Sequence, residues 1–345
     1  AFTAVGGQTR NRFAAFNINN GQLNNRIYGI SGTVYSMIVL QDELFIGGAF
    51  TTITIGSTNY TRNRLASLNL LTNSPTLFNP GLNQEVRVML IEGDYLYFGG
   101  RFTSVGGITR NRIARINLTT RDLDSWNPNV GGTQFNGGTA IYVYGITIGA
   151  SRVYFCGDFT QVSGTTRRGI AAVDINTGAL IADWNPDLNN IGFNIKFFDN
   201  VIYTGGTFTQ ISGSTYNRIG AIDALSGNVI STFNPNANNS VRYVYISPSF
   251  QKIYVGGSFT SIGGNALITR LASLNMPNIS QQFLTIGFTV SDLLLPKNST
   301  NQLVYVGLKW LDNSPPEQGV WKVTFSIQSS SILIDTSKIT LPAYL

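Results

Sequence analysis

The chain of 345 residues contains no histidine and a single cysteine, Cys156. Without histidine there is no imidazole to bind a metal, to act as a general base or to complete a catalytic triad. A single cysteine cannot form an internal disulfide, and we interpret Cys156 as a small buried side chain. The sequence also offers no nucleophile beside a base and no cluster of metal ligands. We therefore predict that the protein is not an enzyme and holds no cofactor.

Charge and long apolar runs are scarce too. Charged residues make up 12% of the chain, about half the usual share. The net charge is +6, but the basic residues form no run, so we expect no nucleic-acid partner. The longest apolar run, residues 140–150, is shorter than the roughly 18 residues of a membrane span, so we expect no membrane insertion. The abundance of Asn, Thr, Ser and Gly favours short strands and turns over helices.

What the sequence does contain is a repeated stretch, typified by YFGGRFT at residues 97–103. It predicts a β-strand that runs through a glycine pair into Phe-Thr. We interpret the glycines as packing residues, because a phosphate-binding loop needs Gly-Lys-Ser/Thr before a helix. A period of about 50 residues with no helical pattern predicts propeller blades of four strands each. The repeated phenylalanines are Phe2, Phe50, Phe102, Phe159, Phe208 and Phe259.

One repeat, residues 86–128, divides into four predicted strands. The apolar run at 86–91 predicts a buried first strand, and the alternating segment at 95–102 predicts a second. Residues 112–117 predict a third strand. Residues 123–126 predict a short outer strand that ends at Asn-Pro, since proline suits an exposed sheet edge.

Repetition of these segments predicts one all-β domain, residues 1–345, folded as a seven-bladed β-propeller of four-stranded antiparallel blades. Third-strand segments occur seven times and first-strand segments six times, which splits the seventh blade between the N- and C-terminal segments. The leftover segment 336–345 alternates like a strand. Either it closes the ring, or a neighbouring subunit supplies a strand and the protein assembles into a filament or lattice. The closure or assembly residues would be Ala1, Phe2, Ile339 and Leu341.

The longest repeat carries a glycine-rich insertion at residues 129–139, between the outer strand of one blade and the first strand of the next. In propellers such connections share a face with the loops between second and third strands, so Phe135 and Asn136 are candidate binding residues. Arg101 and Asp158 are candidates as well, because they occupy the variable position of the Gly-Gly-x-Phe-Thr stretch. The alternative is that the insertion is a tolerated loop without a role in binding.

Arginine recurs at a fixed place before the third strand, in Thr-Arg-Asn-Arg copies at residues 9–12, 61–64 and 109–112. One arginine per blade at one position favours a structural role, in which the planar guanidinium binds loop carbonyls. The alternative is a ring of positive charge around one face. Such a ring would favour an acidic glycan or a carboxylate-rich protein as the partner.

Acidic residues and Asn-x-Ser/Thr triplets are the remaining candidates for chemistry. The 17 acidic residues are scattered, and no pair stands out as the acid and base of a glycosidase. Calcium loops of the Asp-x-Asp-x-Asp-Gly type are absent from the sequence. The triplets are candidate N-glycosylation sites if a eukaryote secretes the protein. They begin at Asn59, Asn117, Asn238, Asn278 and Asn298.

The repeat as a whole resembles the delta-60 repeat of β-propellers. The resemblance rests on a hydrophobic strand followed by Leu/Ile-Tyr-Val-Gly-Gly-x-Phe-Thr, Asn-Arg-Ile-Ala-Arg-Ile-Asn and Phe/Trp-Asn-Pro. It covers the chain from Ala1 to about Gly307 and is lost after Leu308. Propellers of this type occur in large bacterial surface and secreted proteins, and a distantly related propeller occurs in a fungal cortical polarity marker. The resemblance implies a non-enzymatic display or adhesion module.

Two functions follow as expectations. The first is a non-enzymatic extracellular structural or adhesion protein at the cell surface, self-assembling into a filament or lattice through its incomplete terminal blade. The alternative is a carbohydrate- or receptor-binding module of a cell-surface or virion protein. The expected partner is accordingly a protein, including another copy of this chain, or a surface glycan.

Overall fold

A computed structural model describes residues 2–24, 28–265 and 268–277, together with the backbone of two later strands. The chain divides into two compact units, Ala1–Asn278 and Ile279–Leu345. Within the described residues a single-turn 3-10 helix, Pro248–Phe250, is the one helical element, and all strand pairings are antiparallel. The all-β prediction is therefore confirmed.

The strands of the first unit are short and follow one another closely. The first nine are β1 (Ala4–Val5), β2 (Gln8–Thr9), β3 (Tyr28–Ile30), β4 (Val34–Leu40), β5 (Glu43–Gly48), β6 (Thr52–Ile55), β7 (Thr58–Thr61), β8 (Leu65–Asn69) and β9 (Ser74–Pro75). The next are β10 (Val86–Glu92), β11 (Tyr95–Gly100), β12 (Ser104–Val105), β13 (Ile108–Thr109), β14 (Ile113–Asn117), β15 (Val130–Gly131), β16 (Tyr142–Gly149), β17 (Arg152–Asp158), β18 (Gln161–Val162), β19 (Thr165–Thr166) and β20 (Ile170–Asp174). The last are β21 (Gly192–Phe198), β22 (Val201–Gly206), β23 (Gln210–Ile211), β24 (Ser214–Thr215), β25 (Ile219–Asp223), β26 (Val241–Ser247), β27 (Lys252–Gly257) and β28 (Leu271–Asn275).

Five sheets repeat the same order along the described part of this unit. Each consists of a first, second and third strand paired as a meander. Apolar and β-branched residues fill these strands and turn residues separate them, as the sequence pattern predicts. We number them sheet 1 (β4-β5-β8-β9), sheet 2 (β10-β11-β14), sheet 3 (β16-β17-β20), sheet 4 (β21-β22-β25) and sheet 5 (β26-β27-β28).

The predicted outer strand is much shorter than expected. Sheet 1 keeps a two-residue fourth strand, β9, but sheet 2 has only a single bridge between Ile116 and Leu123. The physical reason lies in the turn that follows: the carboxylate of Asp124 accepts a hydrogen bond of 2.8 Å from the Trp126 amide. The chain therefore bends before a ladder can extend over the predicted residues 123–126.

Small hairpins stand where the sequence predicted plain loops between the second and third strands. In sheet 2 the hairpin β12-β13 turns at Gly106 and Gly107, both with positive φ, which glycine adopts without steric cost. The segment that enters each sheet pairs with these hairpins, as the bridge between Leu82 and Val105 illustrates. In sheet 3 strand β15 pairs with β18 in the same way. The entering loops and the hairpins therefore share one face, as predicted.

The hydrophobic core lies between successive sheets. First strands of neighbouring sheets lie against one another, and one buried cluster joins Tyr97 and Trp126 of sheet 2 to Val143 and Phe155 of sheet 3. The glycine pairs permit this approach: a Cβ at Gly99 would lie 2.6 Å from a methyl group of Val143. Their interpretation as packing residues is confirmed. The repeated phenylalanines Phe50, Phe102, Phe159, Phe208 and Phe259 are fully buried, whereas Phe2 is 42% exposed.

In the second unit the structure describes one antiparallel hairpin. Strand β29 (Trp321–Gln328) pairs with β30 (Ser331–Lys338), because antiparallel strands so close in sequence pair locally. The strand predicted at residues 336–345 thus begins earlier than expected, at Ser331, and its observed partner is β29. The closure residues Ala1, Ile339 and Leu341 lie outside the described residues.

Candidate functional site

Three of the four predicted binding residues meet in one cleft on the loop face of sheet 3. Phe135, Asn136 and Asp158 line a space of about 210 Å³. The opposite wall comes from the start of the third strand and from the segment that enters sheet 4. These additional lining residues are Arg168, Asn189, Asn190 and Ile191. Arg101 is not among the lining residues; it lies beside Tyr142, with its guanidinium carbon 5.8 Å from the ring centre.

Asp158 fastens the 129–139 loop to the sheet. Its side chain is only 4% exposed, and its two oxygens accept hydrogen bonds of 2.9 Å from the Gln134 amide nitrogen and from the Phe135 backbone N–H. Hydrogen bonds to a carboxylate are stronger than neutral ones. The loop base is also tied down where Val130 and Gly131 pair with β18. The carboxylate therefore positions the loop.

The Phe135 ring lies beside the position at which the other repeats carry an arginine side chain. The residue before the third strand is arginine with positive φ in five repeats, but in sheet 3 it is Gly169, with φ +72°. A Cβ at Gly169 would lie 3.1 Å from Cζ of Phe135, and the Arg168 guanidinium covers the ring at 5.5 Å. The loop insertion and the missing arginine are thus two parts of one arrangement. The arginines of the other repeats are Arg12, Arg64, Arg112, Arg218 and Arg270.

The cleft keeps polar groups that have no partner in the described part of the chain. Asn190 accepts hydrogen bonds through Oδ1 from the Ile191 amide and the Thr207 hydroxyl, while its Nδ2 donates none. Asn136 accepts through Oδ1 from the Gly138 amide, and its Nδ2 likewise donates none. These amide groups can donate to a ligand without breaking a bond of the fold.

The charged pair at the cleft rim is weak. Arg168 and Asp187 approach to 3.9 Å, and both side chains are about half exposed, at 46%. Burial raises the pKa of the Asp187 carboxyl, and the neighbouring Arg168 opposes that rise. Because an exposed pair of this kind contributes little to stability, Arg168 is available to turn toward a ligand.

The repeated arginines divide into two structural sets. The first arginine of the motif forks between its own neighbour and the outer segment: Arg110 donates to the carbonyls of Thr109 and Asp124, both at 2.9 Å. Its structural interpretation is confirmed. The same fork is made by Arg10, Arg62 and Arg167.

The second arginine usually binds the carbonyl of the variable residue in its own sheet. Arg64 donates to the Ala49 carbonyl at 2.5 Å, and Arg270 donates to the Ser258 carbonyl at 3.2 Å. Arg218 makes the equivalent contact to Thr207. Two arginines depart from this pattern: Arg12 donates to the Ile30 carbonyl at 2.7 Å, and Arg112 donates to Oδ1 of the adjacent Asn111 at 2.9 Å.

Sequence reasoning missed a row of side chains on the first strands. Each first strand has one register shift near its start, at the second residue of the strand in four sheets and at the third residue, Tyr144, in sheet 3, and such bulges re-aim a side chain. The Arg87 guanidinium lies 3.9 Å from the ring centre of Tyr35 and 6.0 Å from that of Tyr144. Phe193 continues the row, 5.6 Å from Tyr144, and Arg242 covers Phe193 at 4.8 Å. We call Tyr35, Arg87, Tyr144, Phe193 and Arg242 the bulge row.

Arg87, Tyr144 and Phe193 of the bulge row are half-buried, while the members at its two ends, Tyr35 and Arg242, are exposed. Burial raises the pKa of Tyr144 to about 12, and the positive charge of Arg87 opposes this rise. Arg87 also forms an ion pair of 3.0 Å with Glu85. The one sequence signal for the row is an aromatic or arginine residue at the second or third position of each first strand. It was hidden because the first strands were interpreted as continuous apolar runs.

Other candidates from the sequence take structural or surface positions. Cys156 is fully buried, and burial raises the pKa of its thiol, so it behaves as a core residue. The amide nitrogen of Asn238 donates to the Thr260 hydroxyl at 2.8 Å. Asn59 accepts a bond from Thr54, and Asn117 accepts from the Thr119 and Thr120 amides. Asn278 and Asn298 lie outside the described residues.

Two features are absent from the part of the chain that the structure describes. It contains no group of three or more Cys, Asp, Glu or His side chains able to hold a metal ion. Likewise, none of its helical residues forms an element long and apolar enough to cross a membrane.

Comparison with known proteins supports the propeller repeat. A family model described as a β-propeller domain of unknown function, DUF5122, matches residues 96–119. These residues span the second strand, the hairpin and the third strand of sheet 2. The fold of the described residues is thus a repeat fold of β-propeller type. A search of curated proteins found no match.

Solved structures resemble the chain only distantly. The computationally designed protein Ika4 is 13% identical, with 56% of this chain and 93% of that chain covered and a TM-score of 0.36. A chain of the mitotic checkpoint complex is 13% identical, with coverages of 71% and 64% and a TM-score of 0.49. The computationally designed protein Ika8 is 11% identical, with coverages of 76% and 90% and a TM-score of 0.38. Likenesses at this level carry no functional comparison.

Proposed function

We propose that this protein is a non-enzymatic extracellular adhesion module that recognises a surface glycan through the cleft beside the 129–139 loop. One observation carries the proposal: the loop is fixed in place by Asp158, while Asn136 and Asn190 keep amide donors at its cleft that have no partner among the described residues. A rigid site with unsatisfied amides beside an aromatic ring suits a sugar, which offers hydroxyl groups on its edge and an apolar face.

The size of the cleft favours recognition of one part of a larger ligand. Its volume of about 210 Å³ is below the roughly 300–1,000 Å³ of pockets that enclose a small molecule. The lining groups come from a loop, a hairpin end and an entering segment, so an extended chain could pass across them. This geometry supports surface adhesion rather than the enclosure and turnover of a substrate.

The experiment is a glycan array probed with the wild-type protein and two variants. We expect Asn190→Ala and Phe135→Ala to weaken binding at least about tenfold, the loss of one hydrogen bond or one stacking contact to a ligand. Asn20→Ala is the matched control, because Asn20 is exposed and bonds only to Gln22 among the described residues. Unchanged binding by both cleft variants, or hydrolysis of the arrayed glycans, would contradict the proposal.

We also propose that a closed ring of seven four-stranded blades, formed within one domain of residues 1–345, carries this cleft. Support comes from apolar side chains on the two terminal sheets of the described series. On β4 of sheet 1, Met37 and Val39 are each 56% exposed, and on β26 of sheet 5, Tyr243 and Tyr245 are 56% and 53% exposed. Two blade faces with this much apolar surface favour a covering layer. We propose that the two ends of the chain supply that layer.

The same surfaces support a second candidate, self-assembly. If the covering strand comes from a neighbouring copy, each subunit both offers and accepts a strand, and the contact repeats into a filament or lattice. The exposed apolar faces of sheets 1 and 5 favour this candidate as much as they favour closure. Measurement of the oligomeric state with and without the tail separates the two.

A further inference from the structure

Arg112 lacks the carbonyl contact that Arg64, Arg218 and Arg270 make, and it lies at a second candidate site on the loop face. The Arg112 N–H donates to the Phe102 carbonyl at 2.8 Å, and the Gly100 N–H donates to the Arg112 carbonyl at 2.9 Å. These two bonds set Arg112 directly opposite Arg101. In sheets 1, 4 and 5 the variable residue is small, and its carbonyl accepts one hydrogen bond from the guanidinium of the arginine. In sheet 2 that residue is Arg101, and the Arg112 guanidinium donates to Oδ1 of Asn111 instead.

The described residues supply no carboxylate to this arginine pair. The carboxylate of Glu85, whose backbone carbonyl accepts a hydrogen bond from the Arg101 amide, is engaged by Arg87 at 3.0 Å. Asp158, at the equivalent position of sheet 3, accepts its bonds from the 129–139 loop. The Arg101 guanidinium therefore has no hydrogen-bonded or ionic partner among the described residues, although the backbone N–H of Arg101 donates to the Glu85 carbonyl at 3.0 Å. In keeping with this, burial and the charge of Arg101 both lower the pKa of Arg112. Two guanidinium groups held together without an anion disfavour each other until an anion binds between them.

An aromatic wall stands beside the pair and joins it to the cleft. The Tyr142 ring centre lies 5.8 Å from the Arg101 guanidinium and 5.1 Å from that of Arg87. Tyr142 stacks on Tyr144, with ring centres 5.1 Å apart and planes at 9°. Tyr142 also pairs with Asp158 across β16 and β17. Asp158 lines the cleft described above, so the arginine pair and the cleft are neighbours on one rim.

We infer that Arg101, Arg112 and Tyr142 form a carboxylate-binding subsite, which makes an acidic glycan containing uronic acid or another sugar carboxylate the preferred ligand of the cleft. The inference rests on the proposed glycan recognition and names its ligand class. The planar guanidinium matches a carboxylate in a two-bond geometry. The Tyr142 face offers an apolar surface for the sugar ring that carries the carboxylate. A neighbouring sugar of the same chain would then lie over Phe135 and Asn190.

The test compares oligosaccharides that contain hexuronic acid with their methyl esters, which keep the sugar and remove the charge. Wild-type protein, Arg101→Thr and Asn190→Ala are assayed for binding to both forms by biolayer interferometry. Threonine is the residue that sheet 4 carries at this position, Thr207, so the fold accepts it there. Arg121→Thr is the charge-matched control, because Arg121 pairs at the surface with Glu43. An immobilised polyglutamate peptide tests whether carboxylates without sugar are sufficient.

We expect the wild type to bind the acid at least about tenfold more tightly than the ester, as the loss of a charged hydrogen bond implies. We expect Arg101→Thr to abolish that preference, Arg121→Thr to retain it, and added salt to reduce it. Equal binding of acid and ester, or a preference unchanged in Arg101→Thr, would overturn the subsite. Equal or tighter binding of polyglutamate would overturn the sugar as ligand in favour of an acidic protein.

The two proposals fail in different ways in this experiment. If acid and ester bind equally and Asn190→Ala weakens the binding of both, glycan binding at the cleft is supported and the carboxylate subsite is contradicted. If the acid preference depends on Arg101 while Asn190→Ala changes nothing, the subsite stands and the cleft falls. If the wild type binds neither form, both proposals fall together.

Discussion

The arginine that precedes the third strand in five of the repeats holds a conformation that side chains rarely adopt. Its φ is 70° at Arg64 and 72° at Arg218, and the left-handed region costs a residue other than glycine about 1–2 kcal/mol. The guanidinium offsets this cost by donating to a carbonyl of the same sheet, since hydrogen bonds from charged groups contribute about 1.5–3 kcal/mol. Arginine is therefore retained there for a bond that glycine could not make.

In sheet 3 this position is Gly169, which has no side chain to donate such a bond. A substitution tests why arginine is absent there. We expect Gly169→Arg to destabilise the protein by about 1–3 kcal/mol, because the new side chain meets the Phe135 ring in a fully packed place and brings back the strained φ. The 129–139 loop should also become more sensitive to protease. Unfolding in urea, followed by tryptophan fluorescence, measures the change in free energy.

A double variant supplies the control for this prediction. Phe135→Ala removes the obstacle, so Gly169→Arg should cost less in the Phe135→Ala background than in the wild type. If the two substitutions are additive, the ring and the arginine do not compete for the same space, and the loop insertion has another origin.

At the scale of elements, the contact between one sheet's second strand and the next sheet's first strand follows a small-against-large rule. A Cβ at Gly205 would lie 2.7 Å from a methyl group of Val241, and Gly99 faces Val143 in the same way. Sheet 3 reverses the pair: Cys156 replaces the glycine, and the facing residue is Gly192. A Cβ at Gly192 would lie 2.8 Å from Cβ of Cys156. The combined volume of the two facing side chains is thus roughly preserved across the interface.

This pairing predicts a rescue between two neighbouring strands. Gly192→Val alone should destabilise the protein by about 1–3 kcal/mol, since β17 and β21 would have to separate. Cys156→Gly together with Gly192→Val recreates the glycine–valine pair of sheets 2 and 4 and should recover most of that loss. Urea unfolding of the wild type, both single variants and the double variant provides the measurement. A double variant no more stable than Gly192→Val would show that the rule does not govern this interface.

At the scale of the molecule, sequence reasoning succeeded where a physical pattern repeats and failed where two segments meet only in space. The strands of sheet 2 lie close to their predicted positions, because alternation and turn residues determine them locally. The shared loop face followed from the repeat order, whereas the hydrogen bond from the Phe135 amide to Asp158 was not predicted. The match of Phe135 to Gly169 could not be predicted, since it depends on a distance across the fold. The bulge at Arg87 was equally invisible, because a one-residue register shift leaves no mark on hydropathy.

The last prediction concerns how the chain ends are used. We expect removal of residues 336–345 to expose the apolar faces of the terminal sheets, whether the segment closes its own ring or a neighbour's. If it closes its own ring, the truncated protein should keep the oligomeric state of the full chain while its melting temperature falls by several degrees. If it is exchanged, the full chain should be oligomeric and the truncated one monomeric. Sedimentation velocity over a range of concentrations, combined with thermal unfolding, distinguishes these results.

The matched control is the full chain with Ile339→Ser and Leu341→Ser, which keeps the backbone but removes the apolar side chains. An unchanged oligomeric state and an unchanged melting temperature in the truncated protein would contradict closure and exchange alike, because neither faces nor edges would then depend on the tail.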